Sequence, residues 1–205
     1  YKPTVFEKNE KAGGMLVYGI PLFKLEKDVV EAEIDVICQM GVDIKTGVEV
    51  GKDITIDELK KQGYKAFYIA IGCQGSRKAG IDGEDADGVV SAVDFLKEAG
   101  TAHEYPLEGD VVVIGGGNVS IDVARTRVGD YNVSMFCLED KDNMPASDEE
   151  VEEALEEGVK LDCGWGPKEI LTENGKVTGI VLKKCTSVKD ANGHFNPQYD
   201  ENDTK

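Results

Sequence analysis

The sequence has no long apolar run, only two histidines and a shortage of positive charge. No segment approaches the roughly 20 apolar residues that a membrane-spanning helix needs, and the N-terminus lacks the basic region and apolar core of a signal peptide. The chain carries 40 acidic and 23 basic residues, for a net charge of −17. Because this charge repels phosphates, nucleic acid and anionic membranes are disfavoured partners. We therefore expect a cytoplasmic protein.

The cysteines form neither a C-x-x-C nor a C-x4-C pair, so the sequence predicts no local iron–sulfur or zinc site. Cys73 is either a redox thiol or a buried structural thiol, and the lack of a nearby partner cysteine favours the structural role. We expect five reduced thiols and no metal ligands. The cysteines are Cys38, Cys73, Cys137, Cys163 and Cys185.

Strands and helices alternate along the first half of the chain, which is typical of an α/β sheet. Apolar residues recur at helical spacing from Phe23 to Met40, and Gly41 follows as a C-cap. The other predicted elements are strands at 4–6, within 42–50 and at 65–72, and a short helix at 57–62 with Asp57 as N-cap.

The second half begins after a turn at 81–88 and a short helix capped by Ser91. A polar stretch follows, so we expect a domain boundary between 88 and 108, giving domains 1–90 and 91–205. Later signals are a Ser147/Glu150 capping box opening an acidic helix that ends at Gly158, an Asn174-Gly175 hairpin turn, and a frayed tail after Val188.

The stretch "VVVIGGGNVSIDVART", residues 111–126, reads as a strand, a glycine turn and a helix. Gly115, Gly117 and Ser120 form a variant of G-x-G-x-x-G. The first glycine permits a tight turn, the second admits a pyrophosphate, and the small third residue lets helix and strand pack. The helix N-terminus then directs its N–H groups at the phosphates. The alternative is an ordinary glycine-rich loop.

Glu139 ends the next predicted strand, 22 residues after Gly117, close to the interval of about 20 expected for a ribose-binding acid. A carboxylate there accepts hydrogen bonds from ribose hydroxyls and repels a 2′-phosphate, and Asp140 adds negative charge. The motif therefore favours NAD over NADP. The alternative is that Glu139 lies on a solvated turn and binds nothing.

Several motifs together resemble the glutamate synthase small (β) subunit family within the two-dinucleotide flavoproteins. They are "VFEKNEKAGGMLVYGIP" (5–21), "YIAIGCQGSRKAGIDGED" (68–85), "GGGNVSIDVART" (115–126), "NMPAS" (143–147) and "EVEEALEEGV" (150–159). The resemblance implies an α/β chain with a Rossmann-like, three-layer dinucleotide-binding domain. It also implies a truncated portion of a second, FAD-type domain.

The resemblance assigns cofactor-binding roles residue by residue. Glu7 matches the acid that binds the FAD ribose, Gly13, Gly14 and Met15 match the loop along the flavin, and Gly72 matches a close-approach glycine in the segment that links the two domains. The residues matching the nicotinamide dinucleotide turn are Gly115, Gly117, Asn118, Val119 and Ser120.

The family's reaction passes hydride from NADH or NADPH to FAD, and electrons then reach iron–sulfur clusters or a partner subunit. The cofactors carry this chemistry, so no catalytic side chain is expected. An alternative function is a non-catalytic NAD-binding module or sensor domain, in which no flavin takes part.

The sequence departs from the family pattern at Leu138 and Glu139, which replace a pair of arginines that grip the NADP 2′-phosphate. The FAD glycine motif, the cysteine-rich iron–sulfur domain and the return into the FAD domain are also missing. We therefore expect an internal fragment that binds FAD poorly alone.

The remaining polar groups are expected to be structural or solvated. His103 and His194 lie in polar stretches, and the acidic run 147–157 suits a solvated helix face. Arg125 and Arg127 are expected to pair with nearby acids rather than with a phosphate.

Overall fold

The computed structural model describes residues 1–102, 107 and 109–205, so His103 lies outside the described residues. Its contacts divide the chain into two compact units, Tyr1–Gly75 and Ser76–Lys205. The turn at 81–88 therefore groups with the second unit rather than with residues 1–75. It does so because Asp82 and Asp87 form backbone bridges to Glu169 and Lys176.

The first unit is a small α/β arrangement in which β1 (Thr4–Phe6) pairs in parallel with β2 (Asp43–Lys45). Its core holds Val17, Tyr18 and Val30. The helices are α1 (Met15–Tyr18), α2 (Lys27–Gln39) and α3 (Ile56–Lys61).

Two helix starts in this unit differ from the predictions. Helix α2 begins at Lys27 rather than Phe23, because residues 22–24 form a turn onto the Pro21 carbonyl and Glu26 is extended. Helix α3 is capped by Thr55 rather than Asp57. Thr55 forms a full capping box with Glu58.

The predicted strand at 65–72 does not form. A strand needs a partner for its backbone groups, and no strand in the described chain pairs with this segment. Tyr68 and Ile71 are 94% and 82% exposed. Cys73 follows the same segment and is exposed, so the prediction that it is a buried structural thiol is wrong.

The second unit is built on a parallel sheet of order β3–β4–β5, which confirms the α/β fold class. Each connection between neighbouring strands contains a helix, as in a nucleotide-binding βαβ unit. The elements are α4 (Ala92–Ala102), β3 (Val111–Ile114), α5 (Asn118–Arg127), β4 (Val133–Cys137), α6 (Asp148–Glu156) and β5 (Lys160–Cys163).

An antiparallel sheet of order β6–β7–β8 completes this unit. Its strands are β6 (Trp165–Glu173), β7 (Lys176–Lys189) and β8 (Phe195–Thr204). Asn174 and Gly175 have φ angles of 51° and 81°, which suit a type I′ turn and confirm the predicted hairpin.

The predicted frayed tail is wrong, since β8 pairs with β7 along this segment. The polar composition of this segment gave no indication of a strand. Gly193, with φ of 81°, lies in the turn that reverses the chain after β7.

The cap at Ser91 is confirmed, because its hydroxyl accepts the N–H of Asp94. The capping box at Ser147 is wrong, since its side chain makes no cap bond and Glu150 pairs with Arg125 instead.

The core of the second unit centres on the fully buried side chains of Met135, Val133 and Ile121. We expect Met135→Ala to lower the free energy of unfolding by about 2–5 kcal/mol, because the lost side chain leaves a cavity. Val112→Ala, on the adjacent strand and 44% exposed, should cost less than about 1 kcal/mol. Urea denaturation followed by fluorescence of Trp165, the single tryptophan, measures both. Equal losses would contradict this placement of the core.

Candidate functional site

The glycine turn joins β3 to α5 at the carboxyl edge of the parallel sheet. Gly115 has φ of +138°, a conformation that side chains other than glycine rarely adopt, and a Cβ there would collide with Oγ of Ser120. The positive φ of Gly115 agrees with the tight turn predicted for it, and Ser120 lies directly against this turn.

The next two glycines differ in their surroundings. A Cβ on Gly116 would lie 2.9 Å from Oε2 of Glu139 and 3.0 Å from Cβ of Cys137, so close packing favours glycine there. Gly117 has an ordinary φ of −95°, and a Cβ on it would meet no heavy atom within 4 Å. The main chain at Gly117 thus borders open space.

Helix α5 starts with Gly117 as its N-cap and no side-chain cap. The N–H groups of Ser120 and Ile121 bond to the Gly117 carbonyl, so those of Asn118 and Val119 lie ahead of the helix's own bonds. They form the positive end of the helix, which favours anions.

Two hydrogen bonds attach the "NMPAS" segment to the glycine turn. The Gly116 carbonyl accepts the N–H of Ala146 at 3.0 Å, and Oδ1 of Asn118 accepts the N–H of Ser147 at 3.0 Å. Sequence reasoning had no signal for these bonds beyond the motif itself. They place the acidic first turn of α6 beside the N-terminus of α5.

Glu139 follows β4, as predicted, and is half-buried beside the glycine turn. Its carbonyl accepts the N–H of Gly164 at 2.9 Å, which ties it to the end of β5. Asp140 is exposed and caps the turn 141–143 through Asn143. The structure therefore brings Gly115, Gly117 and Glu139 together at one sheet edge.

Arg125 lies on α5 and is directed towards α6, where it pairs with acids as predicted. Its side chain is 9% exposed and contacts Glu153 at 2.5 Å, Glu157 at 2.6 Å and Glu150 at 3.4 Å. The hydrogen bonds to Glu157, which has the larger effect, and to Glu153 raise the pKa of the Arg125 guanidinium. Arg127 packs over the Phe95 ring and lies 4.0 Å from Asp130.

The remaining predicted site residues lie in the first unit. Oε1 of Glu7 accepts the backbone and side-chain N–H groups of Asn9, each at 2.8 Å. Gly13 has φ of +120°, and a Cβ there would lie 2.5 Å from Val17, so packing explains this glycine. Gly14 has φ of +52° and N-caps α1, which Met15 begins.

Gly72 lies apart from these residues in chain order, within the segment that forms no strand. It has φ of +69°, and a Cβ there would meet nothing within 4 Å.

Among the described helices, none combines the length and the apolarity that a bilayer crossing demands.

The sequence matches the pyridine nucleotide-disulphide oxidoreductase family over residues 5–194. It is 38% identical over 195 residues to the glutamate synthase [NADPH] small chain of Escherichia coli K12, covering 88% of this chain and 41% of the relative. It is also 38% identical over 194 residues to the NADP(+)-dependent formate dehydrogenase subunit beta of Moorella thermoacetica, covering 92% and 27%. The chain thus spans less than half the length of these relatives.

A solved structure with the same fold is FprA from Mycobacterium tuberculosis in complex with NADPH. The TM-score is 0.83 at 17% identity, over 98% of this chain and 61% of FprA. This match shows the fold alone, and the 38% identity to the Escherichia coli small chain confirms the resemblance to glutamate synthase small subunits. With the family match extending over most of its length, the chain belongs to the pyridine nucleotide-disulphide oxidoreductases.

Proposed function

We propose that this chain is part of a flavin-dependent oxidoreductase that takes hydride from NADH, with the coenzyme bound by the second unit. The observation that carries this proposal is the bare main chain at Gly117. Neither its φ nor its packing requires glycine, so close approach of a ligand is the physical reason for lacking a side chain there.

A diphosphate suits this place because main-chain N–H groups and the positive end of α5 stabilise an anion without a lysine or arginine. The neighbouring N–H groups of Asn118 and Val119 are the proposed donors, and Ser120 keeps the helix close to the strand. Family membership supports a nicotinamide dinucleotide as the ligand.

The preference for NADH rests on the negative charge around the proposed ribose site. Glu139 lies beside the turn, and the first turn of α6 adds Asp148 and Glu149 nearby. A 2′-phosphate would meet these carboxylates, whereas ribose hydroxyls would donate to Glu139. The relatives' names specify NADPH or NADP(+) for those proteins, and this chain has Leu138 and Glu139 where the family pattern has arginines.

The first unit is proposed to contribute to the FAD site of the full-length protein. Glu7 would use the carboxylate oxygen that Asn9 does not engage to hold a ribose, and Gly14, Met15 and Gly72 would border the cofactor. FAD supplies hydride acceptance when bound, and this chain's residues bind and orient the cofactors.

The acceptor beyond the flavin is proposed to be an iron–sulfur domain or a partner subunit. The relatives' names describe a small chain and a subunit beta, which supports assembly with other subunits. The rival function, a non-catalytic NAD sensor, requires a full-length protein that purifies without flavin absorbance.

Gly117→Ala tests the coenzyme site directly. The substitution fits the backbone and meets no atom within 4 Å, so the free energy of unfolding should change by less than about 1 kcal/mol. We expect NADH affinity, measured by calorimetry, to fall at least about tenfold, which is about 1.4 kcal/mol, because the methyl group blocks the diphosphate.

Gly129→Ala is the matched control, because Gly129 also borders open space without a positive φ. It should leave NADH affinity unchanged. Unaltered NADH binding by Gly117→Ala would refute the assignment of the diphosphate to this turn.

Glu139→Arg tests the coenzyme preference. The parent chain should bind NADH more tightly than NADPH, and the arginine variant should reverse the order because a cation replaces the acid that faces the 2′-position. Glu139→Gln is the control, since it removes charge while keeping the shape, and it should narrow the difference without reversing it. Parent binding of NADPH as tight as that of NADH would contradict the role given to Glu139.

A further inference from the structure

Three sulfur-bearing side chains meet at the carboxyl ends of β4 and β5, and we call Cys137, Cys163 and Met144 the sulfur cluster. Cys137 and Cys163 are register partners on neighbouring parallel strands, so their side chains lie on the same face of the sheet. Sγ of Cys163 lies 4.0 Å from Sδ of Met144. The spacing of these residues in the sequence does not predict that they lie together, because they belong to three different segments.

The sulfur cluster combines one buried thiol with two half-buried members. Cys137 is 1% exposed, and its thiol donates to the Glu139 carbonyl at 3.6 Å. Burial raises the pKa of the Cys137 thiol, and the neighbouring Cys163 thiol raises it further. Cys163 and Met144 are partly exposed, so the sulfur cluster lies near the protein surface.

The sulfurs of Cys163 and Met144 have a separation that a metal site can use. A metal bound by three sulfurs in a plane, with bonds of about 2.3 Å, holds those sulfurs about 4.0 Å apart. Sγ of Cys163 and Sδ of Met144 already have this spacing of 4.0 Å.

From this geometry we propose that Cys137, Cys163 and Met144 form a binding site for a soft monovalent cation of the Cu(I) type. Two thiolates and one thioether coordinate the cation, and binding releases the two thiol protons to water. No electrons are transferred, and one monovalent cation replaces two protons, so the occupied site carries one net negative charge. Cys137 gives up its bond to the Glu139 carbonyl when its sulfur becomes a ligand.

The ligand set selects the class of cation. Thiolates and thioethers favour soft ions such as Cu(I), whereas hard ions favour oxygen ligands. Within the ranges that the structure describes, no three His, Cys, Asp or Glu side chains lie together as a metal site. The proposed third ligand is Met144, whose contact with Cys163 distinguishes this site from a simple pair of thiols.

The binding experiment uses the 205-residue chain with Cys38, Cys73 and Cys185 all changed to serine. Cys38 and Cys73 are exposed and would bind copper on their own, while the Cys185 thiol donates to the Ser187 carbonyl outside the sulfur cluster. Cu(I) is titrated without oxygen against a coloured Cu(I) chelator. We expect one Cu(I) per chain and a new ultraviolet thiolate-to-copper absorption.

Met144→Leu in the same background removes the thioether and nearly conserves volume, so the fold should persist. We expect Cu(I) affinity to fall by at least the roughly tenfold seen when a metal site loses a supporting group. The matched control is Met40→Leu, a change of the same type at an exposed methionine of the first unit, which should have no effect. Cys163→Ser should abolish binding.

Urea denaturation of each variant establishes that it is folded. Copper binding by Met144→Leu as tight as that of its parent, or no Cu(I) bound by the triple-serine parent, would overturn the proposal.

Discussion

The candidate site depends on one steric constraint: β3 must pass its chain to α5 within three residues at the sheet edge. Each glycine of the turn meets a different part of this constraint. Gly115 takes a backbone conformation closed to other residues, Gly116 fits against Glu139 and Cys137, and Gly117 leaves its main chain uncovered. Because Gly116 also accepts the Ala146 N–H, the same close packing positions the segment before α6. A side chain at 115 would strain the backbone, and one at 116 would press against Glu139 and Cys137.

The arrangement of charges in the second unit depends on this packing and on the chain's excess of acidic residues. A protein of net charge −17 gains an anion site at little cost when the donors are main-chain N–H groups, since no cation has to be kept away from neighbouring carboxylates. Arg125 shows the complementary case. Its side chain is mostly buried between α5 and α6, where three glutamates compete for one guanidinium, so the arginine serves helix packing.

The sequence predicted those features that local chemistry determines. The strand, glycine turn and helix at 111–127, the hairpin at Asn174-Gly175 and the cap at Ser91 each follow from residues within a short window. Features that depend on distant partners were missed. The segment 65–72 has the composition of a strand but no partner in the described chain, and β8 is polar but pairs with β7.

The candidate site could likewise be predicted only where it depends on residues of recognisable spacing. The spacing of Gly117 and Glu139 can be recognised in the sequence. The hydrogen bonds donated by Ala146 and Ser147 cannot, because they join distant segments, and the pairing of Cys137 with Cys163 depends on the register of the sheet. Whether the turn holds a coenzyme stays a prediction.

The backbone bridges from Asp82 and Asp87 to the antiparallel sheet make the segment around these residues part of the second unit. The Asp82 carbonyl accepts the N–H of Ile170, Asp87 exchanges bonds with Gly175 and Val177, and Gly83 packs so tightly on Ile170 that a methyl group would not fit. A polypeptide trimmed to start at residue 91 would leave these strand groups facing water and uncover the Ile170 side of the hairpin. Residues 82–88 thus form an edge of the second unit, although their composition is that of a connecting turn.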